Sequence, residues 1–198
     1  MEFFPSAYKI RQSGAVRTLS ALRDARLLHG TIAIYGYCYV FGGLEDSGVT
    51  DSVEKIRLER VVCEEWSRVG SMRDRRFSFT PCAWKERVYL AGGMTKLVEV
   101  FHPVSERFEC LSVFVCETSA VASTLEGCLV VLTHDALYKE NSNKLIKKLR
   151  PRPGNISGNM SPYISKGSMW FIQAGKEFGA VEINLETLDA SHYNVSID

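Results

Sequence analysis

Hydrophobic residues in this chain fall mainly into short segments separated by glycine, proline, asparagine or serine. β-Branched and aromatic residues dominate these segments, for example Tyr37–Phe41, Arg87–Ala91 and Met169–Ile172. Such runs, bounded by turn-forming residues, predict β-strands. A helical spacing of apolar residues is confined to Val16–Leu28, where a strand fits as well. The pattern therefore predicts an antiparallel all-β architecture.

One of these strands recurs along the chain together with its surroundings. Tyr39–Gly43 returns about 50 residues later as Tyr89–Gly93, a spacing that indicates a repeat architecture. Leu129–Thr133 and Trp170–Ala174 are weaker copies, in which Leu132–Thr133 and Gln173–Ala174 replace the double glycine. A strand and tight turn precede each copy, and two further strands follow it. Each unit is thus predicted to be a four-stranded meander.

The repeat resembles the kelch motif, which has a double glycine closing its second strand, a later tryptophan and an arginine opening the next unit. The residues that carry the resemblance are Gly42, Gly43, Trp66, Met72 and Arg75 or Arg76 in the first unit, and Gly92, Gly93 and Phe108 in the second. The resemblance implies a kelch-type β-propeller or partial propeller with about four four-stranded antiparallel blades. The alternative is a β-sandwich in which the glycines only end strands.

The repeat boundaries give one domain over 1–198. It divides into an N-terminal half-blade at 1–25 and blades at 26–74, 75–116, 117–155 and 156–198. The half-blade has the pattern of two outer strands, at Ala7–Ile10 and Ala15–Leu22, and a mitochondrial transit peptide is the lesser interpretation. Because exposed strand edges recruit other chains, we expect a partner protein or a second copy to cover an incomplete ring.

The charge balance and the cysteine positions limit which binding functions and which cell compartments fit the sequence. Lys and Arg number 24 against 23 Asp and Glu, so the net charge of +1 argues against a surface dedicated to binding polyanions. No apolar run approaches the roughly 18–20 residues that a membrane span needs. The 6 cysteines contain no CxxC pair and lie mostly in strand-like runs, which favours a reducing compartment. We expect a cytoplasmic protein, with the nucleus as the alternative.

The sequence contains no nucleophile elbow, phosphate-binding loop or metal-ligand spacing, and its four histidines lie in different repeats. We therefore expect protein interaction without catalysis, cofactor or metal. The main hypothesis is a scaffold subunit of a larger assembly. A substrate-recognition module of a ubiquitin-ligase adaptor and a sugar-active enzyme on a propeller are the alternatives.

Propeller loops after the second strands and between blades are the expected protein contacts. The sharpest candidates are Arg73, Asp74, Arg75 and Arg76, because guanidinium groups can hold an acidic segment bidentately. One of these arginines packing between blades is the competing interpretation. The further loop candidates are Glu45, Asp46, Asp51, Lys96, His134, Asp135 and Lys176.

A basic stretch in the third repeat offers a weaker possibility of contact with RNA phosphates. Its cations are Lys144, Lys147, Lys148, Arg150 and Arg152. No aromatic residues for base stacking are interleaved between Leu145 and Gly154, which weakens this interpretation.

Overall fold

The computed structural model describes residues 7–10, 16–58, 65–114, 116–123, 128–141, 145–151, 163–165, 167–173, 178–187 and 189–195. Its regular structure consists of antiparallel β-sheets, which confirms the predicted all-β class. Over these residues the structure has no helix that is both long and apolar enough to cross a bilayer.

Four of the sheets are four-stranded meanders, called blades 1 to 4. Blade 1 contains β3 (Gly30–Ile34), β4 (Tyr37–Glu45), β5 (Gly48–Arg57) and β6 (Ser67–Ser71). Blade 2 contains β7 (Cys82–Trp84), β8 (Arg87–Leu90), β9 (Leu97–His102) and β10 (Arg107–Val113). Blade 3 contains β11 (Thr118–Ser123), β12 (Leu129–Thr133), β13 (Ala136–Asn141) and β14 (Leu145–Pro151). Blade 4 contains β15 (Tyr163–Ser165), β16 (Ser168–Gln173), β17 (Phe178–Asn184) and β18 (Ala190–Val195).

The N-terminal segment forms a separate hairpin. Strand β1 (Ala7–Ile10) pairs antiparallel with β2 (Val16–Leu19) in a two-stranded sheet. This agrees with the two strands predicted at Ala7–Ile10 and within Ala15–Leu22. Two strands alone are only marginally stable in water, so the hairpin depends on its neighbours.

The blades pack face to face because each second strand is apolar on both sides. Successive side chains of a strand point to opposite faces. In β4, Tyr39 and Phe41 pack against blade 2, while Val40 packs on the side of the N-terminal hairpin. In β8, Leu90 packs against blade 1 and Tyr89 against blade 3. These stacked faces form the core, as a propeller predicts and a sandwich does not.

The face pattern corrects the alignment of the third repeat by one residue. Val40, Leu90 and Phe171 all pack toward the preceding element. In β12 the residue with this position is Val131, whereas Val130 packs against blade 4. A shift of one residue turns every side chain of a strand to the other face. The residues in the double-glycine position of blade 3 are therefore Thr133–His134, and the predicted Leu132–Thr133 is wrong.

Trp66 and Phe108 fill equivalent spaces beside blades 1 and 2. Trp66 is only 3% exposed, packs against Leu22 and Val40, and donates its indole N–H to the Ser20 carbonyl at 2.8 Å. Phe108 lies 4.8 Å from Phe101 and 6.5 Å from Phe41, measured between ring centroids. Trp66 is thus buried between blade 1 and the N-terminal segment.

Candidate functional site

Two sets of loops meet at one end of the blades and form what we call the loop rim. In a meander, successive strands run in opposite directions, so the loop after the second strand and the link to the next blade lie at the same end. In blades 1 and 2 the loop rim comprises residues 20–29, 45–48, 72–81 and 91–96. The turns after β3, β7 and β9 lie at the opposite end, the turn rim.

Two buried arginines anchor the loop rim. Arg26 forms an ion pair with Glu54 in β5 and donates to the Gly42 carbonyl at 3.2 Å. Arg76 pairs with Glu99 in β9 at 2.6 Å and donates to the Gly92 carbonyl at 3.3 Å. Each arginine thus ties the opening of its blade to the end of that blade's second strand. Burial lowers the pKa of Arg76, and the charge of Glu99 opposes this shift.

The double glycines provide the close approach that these anchors need. Gly42 has φ of 56°, and a Cβ atom there would lie 2.3 Å from the Arg76 carbonyl oxygen. The N–H of Gly43 donates to that same carbonyl at 2.9 Å. Gly92 and Gly93 also have positive φ, at 92° and 79°. A side chain at Gly42 would therefore push the opening of blade 2 away from blade 1.

The structure separates the four residues predicted as the sharpest protein contacts. The side chains of Arg73 and Arg75 are exposed, and Asp74 is half-buried. Arg76 is 0% exposed and is paired inside the protein. We therefore remove Arg76 from the predicted contacts, since its guanidinium serves the packing role that the sequence left as the competing interpretation. Arg73 and Arg75 stay predictions.

The acidic loop candidates of blade 1 also differ in accessibility. Glu45 is half-buried and lies 3.2 Å from the guanidinium of Arg26, so it belongs to the anchor. Asp46 is exposed at the tip of the β4–β5 turn. Asp51 is half-buried, and its carbonyl accepts the Met72 N–H at 2.9 Å. Of the three acids, Asp46 is the one most open to a partner.

The remaining loop candidates lie on blades 2 and 3. Lys96 and His134 have exposed side chains. Asp135 is exposed too, and it accepts hydrogen bonds from the Cys116 thiol at 3.0 Å and the Thr133 hydroxyl at 2.6 Å. Lys176 lies outside the described residues. A partner contact at these positions remains a prediction.

The basic stretch of the third repeat coincides with an edge strand. Lys147, Lys148 and Arg150 belong to β14, the outermost strand of blade 3, whereas Lys144 and Arg152 lie outside the described residues. The strand pairs with β13, with Lys147 opposite Lys139. Contact of this edge with RNA stays a prediction.

The loop rim also exposes apolar residues that the sequence pattern does not predict. Leu27 is 38% exposed, Leu28 53% and Met94 51%. Leu28 and Met94 have positive φ, at 53° and 64°, which is uncommon for residues other than glycine. These φ values arise from the geometry of the turns, and the amino-acid sequence at Leu28 and Met94 does not reveal them. The loop rim therefore carries three exposed apolar side chains, together with the exposed side chains of Arg73 and Arg75.

A cleft of about 340 Å³ also opens on the loop rim between blades 1 and 2. Leu28, His29 and Thr31 line it from blade 1, and residues 78–81 line it from blade 2. Burial, followed by the positive charge of Arg26, lowers the pKa of His29, so the imidazole is neutral near pH 7. The sequence does not indicate this cleft, because its two walls lie about 50 residues apart along the chain.

Comparison with protein families matches residues 25–73 to the kelch motif. The matched segment covers Arg26, the strands of blade 1 and the residues that lead to Arg73. A search of curated proteins finds no relative of significant similarity.

Proposed function

We propose that this chain, which carries a kelch motif at residues 25–73, binds a protein partner through the loop rim of blades 1 and 2, without catalysis. Kelch motifs generally mediate protein interaction, which supports a protein partner in general. The observation that carries the specific proposal is that the same rim exposes the apolar side chains of Leu27, Leu28 and Met94 and the side chains of Arg73 and Arg75. Apolar anchors surrounded by charged residues are typical of protein interfaces.

The anchors explain how this rim stays in place for binding. Arg26 and Arg76 hold the blade openings through buried ion pairs, while neighbouring side chains point outward. A rigid rim reduces the conformational entropy that is lost when a partner binds. The backbone of Arg73 is fixed because its N–H donates to the Glu99 carboxylate at 2.6 Å. Its side chain remains exposed.

A quantitative co-purification experiment with matched variants tests this proposal. The loop-rim variant combines Arg73→Ala, Arg75→Ala and Met94→Ser. The control combines Arg87→Ala, Arg107→Ala and Val104→Ser, which removes the same chemistry from the turn rim of the same blade. We expect the loop-rim variant to lose the partners that the wild type and the control retain. Retention of all partners by a folded loop-rim variant would refute the proposal.

We also propose that the protein is a scaffold subunit whose N-terminal hairpin is covered by another chain. Over the residues that the structure describes, the hairpin has two strands, which leaves strand edges available for pairing. In blade 4, by contrast, strand β17 is paired on both sides, and the Glu182 carboxylate accepts from Ser168 at 2.6 Å and Tyr193 at 2.8 Å. The unpaired edges of the hairpin therefore support a cover by another chain at that end of the protein.

Sedimentation of the isolated chain tests this second part. We expect self-association at micromolar concentration, because no partner is present to cover the hairpin. A cooperatively folding monomer would contradict the covered hairpin and would leave the loop-rim proposal unaffected.

A further inference from the structure

Arg23 and Arg73 are held in the same way at the openings of blades 1 and 2. The Arg23 N–H donates to one carboxylate oxygen of Glu54 at 3.0 Å, and the Arg73 N–H donates to one carboxylate oxygen of Glu99 at 2.6 Å. In each blade the other oxygen of that carboxylate accepts from the buried anchoring arginine. The glutamate therefore fixes the backbone of an arginine whose side chain is exposed, once in each blade.

The exposed charge of the loop rim in blades 1 and 2 is mainly positive. Within the rim segments given above, the acid with an exposed side chain is Asp46. The cations with exposed side chains are Arg23, Arg73, Arg75 and Lys96. None of these cations forms an ion pair with another residue that the structure describes. The whole chain has a net charge of only +1, so the excess of exposed cations is a local property of this rim.

The other acids of this rim are paired within the protein or are less accessible. Asp24 lies 2.8 Å from Arg68, and Glu45 lies 3.2 Å from the buried Arg26. Asp74 is half-buried. The exposed rim cations are therefore left for the carboxylates of another molecule, and a partner of opposite charge is favoured at such a surface.

The exposed apolar side chains of the rim favour a protein over a nucleic acid. They belong to Leu27, Leu28 and Met94, and none of them is aromatic. Proteins that bind single-stranded nucleic acids combine cations with aromatic side chains on which the bases stack. Aliphatic side chains among cations are better suited to a peptide segment that carries both acidic and apolar residues.

We propose that the loop rim of blades 1 and 2 binds an acidic segment of a partner protein, with one carboxylate on Arg23 and a second carboxylate on Arg73. A guanidinium group can hold a carboxylate through two parallel hydrogen bonds. Packed sheets lie about 10 Å apart. In a polyproline II helix, which rises about 3.1 Å per residue, side chains three positions apart lie on one side and span a similar distance. The inference rests on the proposed function, since it names the chemistry that the rim recognises in its partner.

Titration of the isotope-labelled full chain with short peptides, followed by NMR of the arginine Nε–H signals, tests this inference. The probe is the blocked peptide Glu-Pro-Pro-Glu, in which the prolines hold the two carboxylates three positions apart. Its controls are Gln-Pro-Pro-Gln, which lacks the charge, and Pro-Glu-Glu-Pro, which has the same composition with adjacent carboxylates. We expect saturable shifts with the probe and at least about tenfold weaker binding of both controls. Equal binding of the three peptides, or no saturable shift at millimolar probe, would overturn the inference.

Single substitutions assign the binding to the two arginines. Arg23→Gln and Arg73→Gln each remove one exposed cation and should each weaken binding of the Glu-Pro-Pro-Glu probe about tenfold. Arg107→Gln is the matched control, because Arg107 is an exposed arginine on the turn rim of blade 2, and it should leave binding unchanged. Unchanged binding in either rim variant, or an equal loss in Arg107→Gln, would overturn the proposed contact.

A single-stranded oligonucleotide separates a phosphate ligand from a carboxylate ligand. Oligonucleotide binding that is lost in Arg23→Gln, with no binding of the Glu-Pro-Pro-Glu probe, would overturn the inference in favour of a nucleic acid. Arg23 is not changed in the loop-rim variant of the co-purification experiment. Partners that are lost by the loop-rim variant but retained by Arg23→Gln would therefore overturn the two-arginine contact and leave the proposed function standing.

Discussion

The guanidinium of Arg76 lies 2.6 Å from the carboxylate of Glu99, and both side chains are fully buried. Arg76 opens blade 2 and Glu99 lies in its third strand, so the ion pair joins two parts of one blade at the loop rim. Arg26 and Glu54 have the same relationship in blade 1. The contact predicted for a partner is thus used inside the fold, and it positions the exposed neighbours of Arg76.

Breaking the Arg76–Glu99 pair should destabilise the protein strongly. Arg76→Met leaves the Glu99 carboxylate buried without its cation, and loss of one partner of a buried pair costs about 3–5 kcal/mol of unfolding free energy. The control is Arg87→Met, which removes an exposed pair with Glu109 at 3.7 Å and should cost about 0–1 kcal/mol. Urea unfolding measures both. Similar losses for the two variants would contradict a special role for the buried pair.

Truncation of Trp66 should also be costly. The ring is buried against Leu22, Val40 and Ile56, so Trp66→Ala removes a large core side chain and should lower the unfolding free energy by about 3–5 kcal/mol. Thermal unfolding followed by circular dichroism measures the change. An unmoved midpoint would show that Trp66 is not part of the core.

Gly42→Ala tests the requirement for a residue without a side chain. The new Cβ would meet the Arg76 carbonyl oxygen at 2.3 Å, and its backbone has φ of 56°, so we expect a loss of at least about 1–3 kcal/mol. Gly70→Ala is the matched control, because a Cβ at Gly70 meets nothing within 4 Å. Comparable stability of the two variants, measured by chemical unfolding, would be inconsistent with the close approach of the blades.

The neutral state of His29 predicts a dependence of stability on pH. Its pKa is lowered in the folded protein by burial and by Arg26, so the unfolded chain binds a proton more readily. Stability should therefore fall as the pH drops through the usual histidine pKa of about 6.5 toward the lowered folded value. Midpoints at pH 7.5 and 5.5 should differ more for the wild type than for His29→Gln, in which this group does not titrate. Equal differences would contradict a buried neutral imidazole.

The fold could be predicted from the sequence where local pattern and repeat agree. Alternating apolar residues and the double glycines at Gly42–Gly43 and Gly92–Gly93 define the first two blades. In the third blade no glycine marks the end of the second strand, and the run Leu129–Leu132 is apolar at every position. In such a run apolar and polar residues do not alternate, so the sequence does not show which side chains point to which face. The predicted alignment was therefore wrong by one residue.

The candidate site was less predictable because it depends on tertiary contacts. The sequence Arg73–Arg76 does not show which arginine is buried. Arg76 is the buried one, and its partner Glu99 lies in a different strand. In blades 1 and 2, Glu54 and Glu99 lie opposite Val40 and Leu90 of the neighbouring strand. In blade 3 the residue opposite Val131 is Tyr138, so a tyrosine takes the position of the acid. The cleft at His29 joins residues about 50 positions apart, and no local pattern indicates it.

Site-specific photo-crosslinking in cells tests the central claim, that the loop rim of blades 1 and 2 binds a protein. A crosslinking amino acid is placed at Met94 on the loop rim or at Val104 on the turn rim, which are 51% and 87% exposed in the free chain. We predict protein adducts from position 94 and none above background from position 104. Adducts from position 104 with none from position 94 would contradict the account.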